Sequence, residues 1–416
     1  YFNKRLYKYM LLDDQITGAQ VCMLLFEQNI IDGTDEEKQA VQSGSKSAYS
    51  FMLEKIENLD ITPAQLALDP CSGSCVVTDT RTGEVLALVT YPGYDNNRLT
   101  NSIDSDYYNK IYYDLSQPMW NYATQQLSAP GSTFKMVSAA TALENNVVGL
   151  NETITCKGTW DTLSPPARCW IAPNGSHGPL DISGAIEHSC NYFFYEVGYR
   201  LSRNNGVYDS DTGLEKLAYY ADQFGLSDKS GVEISESAPK VSDFDAIRSA
   251  IGQGTNNYST VGLARYVTTV ANSGNCYNLS LLSKATDADG NLIADFTPTL
   301  RNTVDLKQST WDAIHLGMRK VVEDKDYYKD LSIRVAGKTG TAQENRKRAN
   351  HALFVCYAPY EQPQIAIATR IAFGYASDYA AQVTKDIVKY YFKLEDESSL
   401  ITGTAESTNV VQSAGD

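Results

Sequence analysis

The period of the hydrophobic positions changes along the chain, and each change marks an element. Over residues 1–68 apolar side chains recur at helical spacing, as at Met52, Ile56 and Leu59, which predicts a small helical lead-in or linker. Ser43-Gly44-Ser45 interrupts it, and Thr62-Pro63 reads as a helix start, with Thr62 as cap and Pro63 in the first turn. The composition changes at Asp69-Pro70. Cys75–Asp79, Arg81-Thr82-Gly83-Glu84 and Val85–Val89 then read as strand, turn, strand, closed by Tyr91-Pro92-Gly93. A second strand pair comes late, at His351–Tyr357 and Gln364–Ile371, separated by Pro359 and Pro363, and a helix is predicted from Ala376 to Phe392. With helical patterns filling residues 132–275, this predicts an α+β domain whose sheet is assembled from chain-distant pieces. Asp396 to Asp416 is Ser/Thr/Gly-rich without apolar period and is expected to be a disordered polar tail. The predicted organisation is 1–68, 69–395 and 396–416.

Composition narrows the function classes. The chain has 416 residues, 43% apolar and 20% charged, which is ordinary globular protein with room for a large core. Its formal charge of −15 leaves no basic stripe to release counterions, so a nucleic-acid partner is not expected. A small anionic substrate needs only a few local cations and stays open. No run of about 18 apolar residues exists to cross a membrane. Because the chain starts at Tyr1 and not at Met, a signal or single-pass anchor upstream is expected.

The first chemical motif is Ala129-Pro130-Gly131-Ser132-Thr133-Phe134-Lys135, a turn running into an apolar helix. Ser132 and Lys135, three apart, fall about one turn apart on one face. A serine hydroxyl attacks only when a base takes its proton, and a lysine serves when burial or a neighbouring cation favours its neutral form. Backbone N–H groups at a helix start can hold an oxyanion. Alone the pair is common. Ser189-Cys190-Asn191 follows 57 residues after Ser132, and Lys338-Thr339-Gly340-Thr341 begins 149 residues after Ser189. Ser189 could relay a proton and Asn191 could bind a substrate amide from a loop between helices. Lys338, Thr339 and Thr341 offer a cation and hydroxyls to a terminal carboxylate, and Gly340 leaves space where a substrate backbone could run along a strand edge. The lead Ile333–Ala336 reads as strand.

Ser-x-x-Lys, Ser-x-Asn and Lys-Thr-Gly in this order form the motif set of penicillin-binding proteins and β-lactamases. Over residues 60–395 the chain resembles the transpeptidase domain of class B penicillin-binding proteins, nearest the elongation-type (PBP2-like) branch. Flanking features support it: Asp79 to Tyr94, Ile251-Gly252-Gln253-Gly254 and Asn350-His351-Ala352-Leu353-Phe354. The resemblance implies a penicillin-binding/serine β-lactamase-like fold, an antiparallel sheet flanked by helices plus a mostly helical subdomain. It implies a peptidoglycan D,D-transpeptidase in which Ser132 attacks the penultimate D-Ala carbonyl, Lys135 is the base, and the N–H groups of Ser132 and Thr341 hold the oxyanion. The acyl group then passes to the amine of a neighbouring stem peptide, and β-lactams trap Ser132. It further implies the extracytoplasmic face of the membrane, a glycosyltransferase of the elongation machinery as partner, and no organic cofactor. A serine β-lactamase or a β-lactam-sensing domain shares the acylation set, but the long middle segment, helical lead-in and Tyr-Pro hairpin match a transpeptidase. A D,D-carboxypeptidase or endopeptidase would differ only in the acceptor.

Cys156, Cys169, His177 and Cys190 are spaced by 13, 8 and 13, unlike a zinc-finger pair, and by spacing alone they read as four separate residues, packed thiols and one surface His. Their settings, such as Cys156-Lys157-Gly158 and Ser176-His177-Gly178, are turn-like. Some elongation-type transpeptidases hold zinc in this region, with one ligand from the middle of Ser-x-Asn, where this chain has Cys190. On that resemblance the four residues are expected to bind a structural zinc ion. His188 reads as a helix-end residue, and Cys71 and Cys75 as a disulfide or two thiols. The acidic run Glu323, Asp324, Asp326 and Asp330 reads as a solvated face. Tyr94, Tyr107, Tyr108, Tyr112 and Tyr113 could line a groove or cover the core.

Overall fold

The computed structural model describes residues 9–401 except 11, 12, 14, 29, 32, 59, 62–71, 115, 163, 173 and 344–347. Two compact units result: one from the residues up to 68 with those from Glu395, the other from Asp69 to Leu394. The helix start at Thr62-Pro63, the boundary at Asp69-Pro70, Leu59, Cys71 and most of the tail lie outside the described residues.

Among the described residues the core of the first unit is built from helices α1 (Gly18–Glu27), α2 (Asp35–Ser43) and α3 (Ala48–Glu57). Thr17 with Gln20 and Thr34 with Glu37 form reciprocal capping boxes at the first two, satisfying N–H groups that a helix start leaves open. Gly44, at φ 77°, ends α2 in the left-handed conformation, as the Ser-Gly-Ser break predicts. Six buried residues form its core: Cys22, Phe26, Ile31, Val41, Phe51 and Ile61. Phe51 is fully buried 5.5 Å from Phe26, with the Lys46 and Lys55 ammonium groups each 5.6 Å from its ring. Phe51→Ala should cost about 3–5 kcal/mol. A core this small cannot absorb that loss, so the lead-in should lose its helical signal and its protease resistance in a melting series. Where the sequence predicts a structureless tail, Glu397–Leu400 makes one helical turn, with the Ser399 N–H donating to the Asp396 carbonyl at 2.9 Å.

The second unit is built on a five-stranded sheet: β1 (Gly73–Asp79), β2 (Val85–Tyr91), β3 (Ala336–Ala342), β4 (His351–Ala358) and β5 (Ile365–Ile371). The order is β3-β4-β5-β1-β2 and all four pairings are antiparallel. The hairpin and the late strand pair are therefore neighbours, as expected. The central strands read as unbroken apolar runs because helices cover both faces. Val76, Leu353, Val355, Ala366 and Ala368 pack into one core; Cys75, Val77, Phe354, Cys356, Ile365 and Ile367 alternate with them into another.

The helices that matter for the site are α4 (Ser105–Tyr113), α5 (Lys135–Glu144), α6 (Ile182–Glu187), α7 (Asn191–Leu201), α8 (Ser210–Gln223), α9 (Thr260–Ala271), α10 (Gln308–Glu323) and α11 (Ser377–Tyr391). All twelve residues of α9 are buried, and it lies on β1 and β5 through hydroxyl pairs, Ser74–Thr260 at 2.7 Å and Thr78–Thr268 at 2.6 Å. A helix hydrophobic nearly all round belongs in the interior. α11 covers the opposite sheet face. β3 begins only at Ala336, later than the apolar lead suggests. The Val335 carbonyl accepts from Arg319 Nη1 at 2.8 Å and the Arg334 carbonyl from the Tyr360 N–H at 2.8 Å, so neither enters the ladder. Among the described residues no helix is long and apolar enough to cross a membrane.

Candidate active site

Ser132 sits on a single 3-10 turn, Gly131–Phe134, that runs into α5 at Lys135. The turn is locked by backbone contacts. Gly131, at φ 52°, has no room for a side chain, because a Cβ there would lie 2.6 Å from the Thr341 carbonyl oxygen on β3. Its N–H donates to the Gly252 carbonyl at 3.1 Å, and a Cβ on Gly252, at φ 76°, would lie 1.9 Å from the Gly131 oxygen. Both neighbours are backbone, so neither can yield cheaply. Gly252→Ala should therefore destabilise the domain by about 3 kcal/mol or more. A denaturant titration alongside an acylation assay should show both falling together. Gly340 differs from the sequence expectation: a Cβ there would meet Thr133 Cγ2 at 2.7 Å and the Pro130 oxygen at 2.9 Å. The missing side chain makes room for the serine turn, not for a ligand.

Ser189 lies between α6 and α7 in the left-handed conformation, φ 49°, which a non-glycine residue holds at a cost of about 1–3 kcal/mol. Cys190 caps α7, its sulfur accepting from the Phe193 N–H at 3.5 Å, and Asn191 is the first helical residue. This bend aims both motif side chains at the serine turn. Lys135 Nζ donates to the Ser189 carbonyl at 2.8 Å, to Ser189 Oγ at 3.1 Å and to Asn191 Oδ1 at 2.7 Å. Lys338 Nζ, on β3, donates to the same Ser189 Oγ at 2.9 Å and to the Thr339 carbonyl at 3.1 Å. Both lysines are fully buried, and Ser132 and Ser189 are each only 4% exposed. Three motifs far apart in sequence thus meet on one hydroxyl. A shared hydroxyl between two amines is a route by which a proton can pass from one to the other.

A cleft of about 380 Å³ opens over Ser132, Asn191 and Thr341, with Tyr195, Arg248, Ile251, Gln253, Gln343 and Asn350 completing its wall. Gln253 and Asn350 belong to the flanking features read from sequence. Tyr195, Arg248 and Gln343 do not, yet two follow from periodicity: Tyr195 is one helical turn beyond Asn191, and Gln343 is two residues beyond Thr341 on an extended segment. β3 is an edge strand, so its outer backbone groups are open to an extended peptide. Of the tyrosines expected at a groove or over the core, Tyr94, Tyr108, Tyr112 and Tyr113 stand exposed, the last three on α4, while Tyr107 lies under Arg98 and accepts from the Asp95 N–H. The acidic run from Glu323 is exposed and partly paired, Asp326 with Lys329, as a solvated face should be.

Cys156, Cys169, His177 and Cys190 come together with their ligand atoms within 4.8 Å of one another. Two short ribbons, Ile154–Cys156 with Gly178–Leu180 and Thr159–Trp160 with Ala167–Arg168, deliver the first three to the cap of α7. Cys169 Sγ lies 3.6 Å from His177 Nδ1. The hydrogen bond from Cys190, helped by His177, holds the Cys169 thiol far below the ordinary range; the same bond, with burial, pushes Cys190 up. His177 Nε2 is buried with no hydrogen-bond partner among the described residues. Ligand atoms around a zinc ion with Zn–S of about 2.3 Å stand roughly 3.8 Å apart. The Cys169–His177 separation already has that size, and three thiols with one imidazole are a zinc donor set, so the residues fit the metal. His188 is the C-cap of α6, stacked at 5.7 Å on His177, and Cys75 is a buried free thiol.

The Penicillin binding protein transpeptidase domain model matches residues 73–389. The chain is 30% identical over 362 residues to the peptidoglycan D,D-transpeptidase MrdA of Haemophilus influenzae, an overlap covering 78% of this chain and 53% of that protein. It thus spans about half the length of that relative. Among solved structures, the PBP2 of Pseudomonas aeruginosa in complex with WCK 5153 superposes with a TM-score of 0.66 at 25% identity, covering 83% of this chain and 78% of that one. The penicillin-binding protein PBP2 of Helicobacter pylori also gives 0.66 at 25% identity, covering 77% and 60%.

Proposed function

Since the chain belongs to the penicillin-binding protein transpeptidase family, on its class B, PBP2-like branch, we propose that its second unit is a peptidoglycan D,D-transpeptidase acylated by β-lactams. The observation that carries this reading is the meeting of Lys135 and Lys338 on Ser189 Oγ beside the Ser132 turn. Ser132 Oγ attacks the penultimate D-Ala carbonyl of a donor stem peptide and its proton passes to Lys135, which serves as the base when it is in its neutral form. The N–H groups of Ser132 and Thr341 receive the oxyanion; the Thr341 backbone borders the serine turn closely enough for this. As the C–N bond breaks, the proton reaches the departing D-Ala amine through Ser189, and an ester to Ser132 remains. The acceptor amine then forms the new C–N bond while the C–Oγ bond breaks and a proton returns to Ser132. Lys338, Thr339 and Thr341 hold the terminal carboxylate, Asn191 a substrate amide, and the outer edge of β3 the peptide backbone.

The Cys156, Cys169, His177 and Cys190 cluster is proposed to hold a structural zinc ion. Bound there the metal would fix the bend carrying Ser189 and Asn191, with four protein ligands and no open position for a reactive water. The chemistry of the substrate places the unit on the extracytoplasmic side, and the PBP2-like branch points to a glycosyltransferase of the elongation machinery as partner. No organic cofactor enters the route.

Intact-mass spectrometry after exposure to a penicillin tests the enzymatic reading. A penicilloyl adduct that persists for many minutes is the expected outcome for a transpeptidase. Rapid release of hydrolysed penicillin would point instead to a β-lactamase, and no adduct at all would overturn both.

A further inference from the structure

α5 starts at Lys135 with Phe134 as its N-cap, so its first α-helical hydrogen bond ends on the Phe134 carbonyl. Extending the helix back by one residue would require the Val137 N–H to donate to the Thr133 carbonyl. A side chain from another helix stands between them. The Tyr266 hydroxyl donates to the Thr133 carbonyl at 3.0 Å, and its oxygen accepts from the Val137 N–H. A phenol from α9 is thus inserted into the hydrogen-bond ladder at the point where the serine turn meets α5.

Tyr266, Thr133 and Val137 are all fully buried, and the Tyr266 ring is fixed edge-on against Phe224 with centroids 5.7 Å apart. Burial pushes the phenol well above its ordinary pKa, so the hydroxyl stays neutral and keeps both bonds. Without it the Thr133 carbonyl and the Val137 N–H would be left in a dry interior, where closing the α-helical bond between them is the direct way to satisfy both. That closure would change the geometry of the motif. On a 3-10 turn side chains three apart eclipse, whereas on an α-helix they are offset by about 60°. The Gly131–Phe134 turn therefore carries Ser132 in line with Lys135, nucleophile over base.

We propose that Tyr266 is a positioning residue for acylation: its hydroxyl keeps the serine turn from winding into α5 and so holds Ser132 in line with Lys135. The inference rests on the transpeptidase reading, in which Ser132 is the nucleophile and Lys135 its base. Tyr266 does not line the cleft; its hydroxyl acts through the backbone of Thr133 and Val137. Nothing in Ser-x-x-Lys announces it, because the contact joins residues 133 apart in the chain.

Stopped-flow acylation by a chromogenic penicillin separates noncovalent affinity from the first-order acylation step. In Tyr266→Phe that step should slow by about 10- to 100-fold while noncovalent affinity stays within about twofold of wild type. 4-Fluorophenylalanine at position 266 fills the hydroxyl's space but cannot donate, so it should fold and be slowed alike. Thr268→Val deletes another buried α9 hydroxyl, the one paired with Thr78, and should acylate at the wild-type rate despite a comparable loss of stability. Wild-type acylation with either replacement at 266, or a loss confined to affinity, would overturn the assignment. So would equal slowing in Thr268→Val, which would mark the effect as lost stability alone. A wild-type chain that penicillin fails to acylate counts against the transpeptidase reading itself and takes this assignment with it.

Discussion

Ser132→Ala will form no penicilloyl adduct, while its unfolding transition will stay within about 1 kcal/mol of the wild-type chain. The hydroxyl is the only group at the cleft that the proposed route makes into an ester, and loss of a nucleophile of this kind costs on the order of 10⁶-fold. Lys135→Met should fall nearly as far, because the amine that takes the proton goes with it. It should also be less stable, since Lys135 alone ties the Ser189 carbonyl, Ser189 Oγ and Asn191 Oδ1 together. Ser189→Ala should be slowed less, on the order of 10²- to 10⁴-fold. It removes the shared acceptor but leaves the nucleophile, the base and the oxyanion site. Equal loss in all three would argue that Ser189 is more than a relay.

Stripping metal from the Cys156, Cys169, His177 and Cys190 cluster will lower the unfolding temperature by roughly 10 °C or more, a shift of several kcal/mol for a domain of this size. Acylation should slow as well, because Cys190 lies between Ser189 and Asn191 and caps the helix that Asn191 begins. Native mass spectrometry of freshly purified, reduced protein should show one zinc ion per chain, absent after chelation and in Cys190→Ser. Without metal His177 Nε2 stays buried with no hydrogen-bond partner among the described residues. A chain that never carries zinc yet melts and acylates normally would overturn the metal assignment without touching Ser132.

Much of this architecture is legible in the sequence, for identifiable reasons. The hairpin at residues 75–89, the strands near 351 and 365 and the last helix follow from local period and turn chemistry, which act over a few residues. The order of the strands in the sheet does not, because pairing β1 with β5 is a contact between residues nearly 300 apart that no local pattern encodes. The motif side chains proposed to carry the reaction are legible as types and spacings. That Lys338 shares an acceptor with Lys135 is not, since it depends on the left-handed bend at Ser189. Gly340 is the instructive difference: its position suggested space for a substrate, whereas the space is filled by the turn carrying Ser132.

By itself the sequence determined the element types, the reactive groups and the family, because each is written in neighbouring residues or in the identity of a few side chains. Only the tertiary structure decided which groups act on one another. It gathered four ligand-type residues whose spacing alone favoured no metal. Distances of a few ångströms between chain-distant atoms come from packing the whole core, and packing is a property of all residues at once.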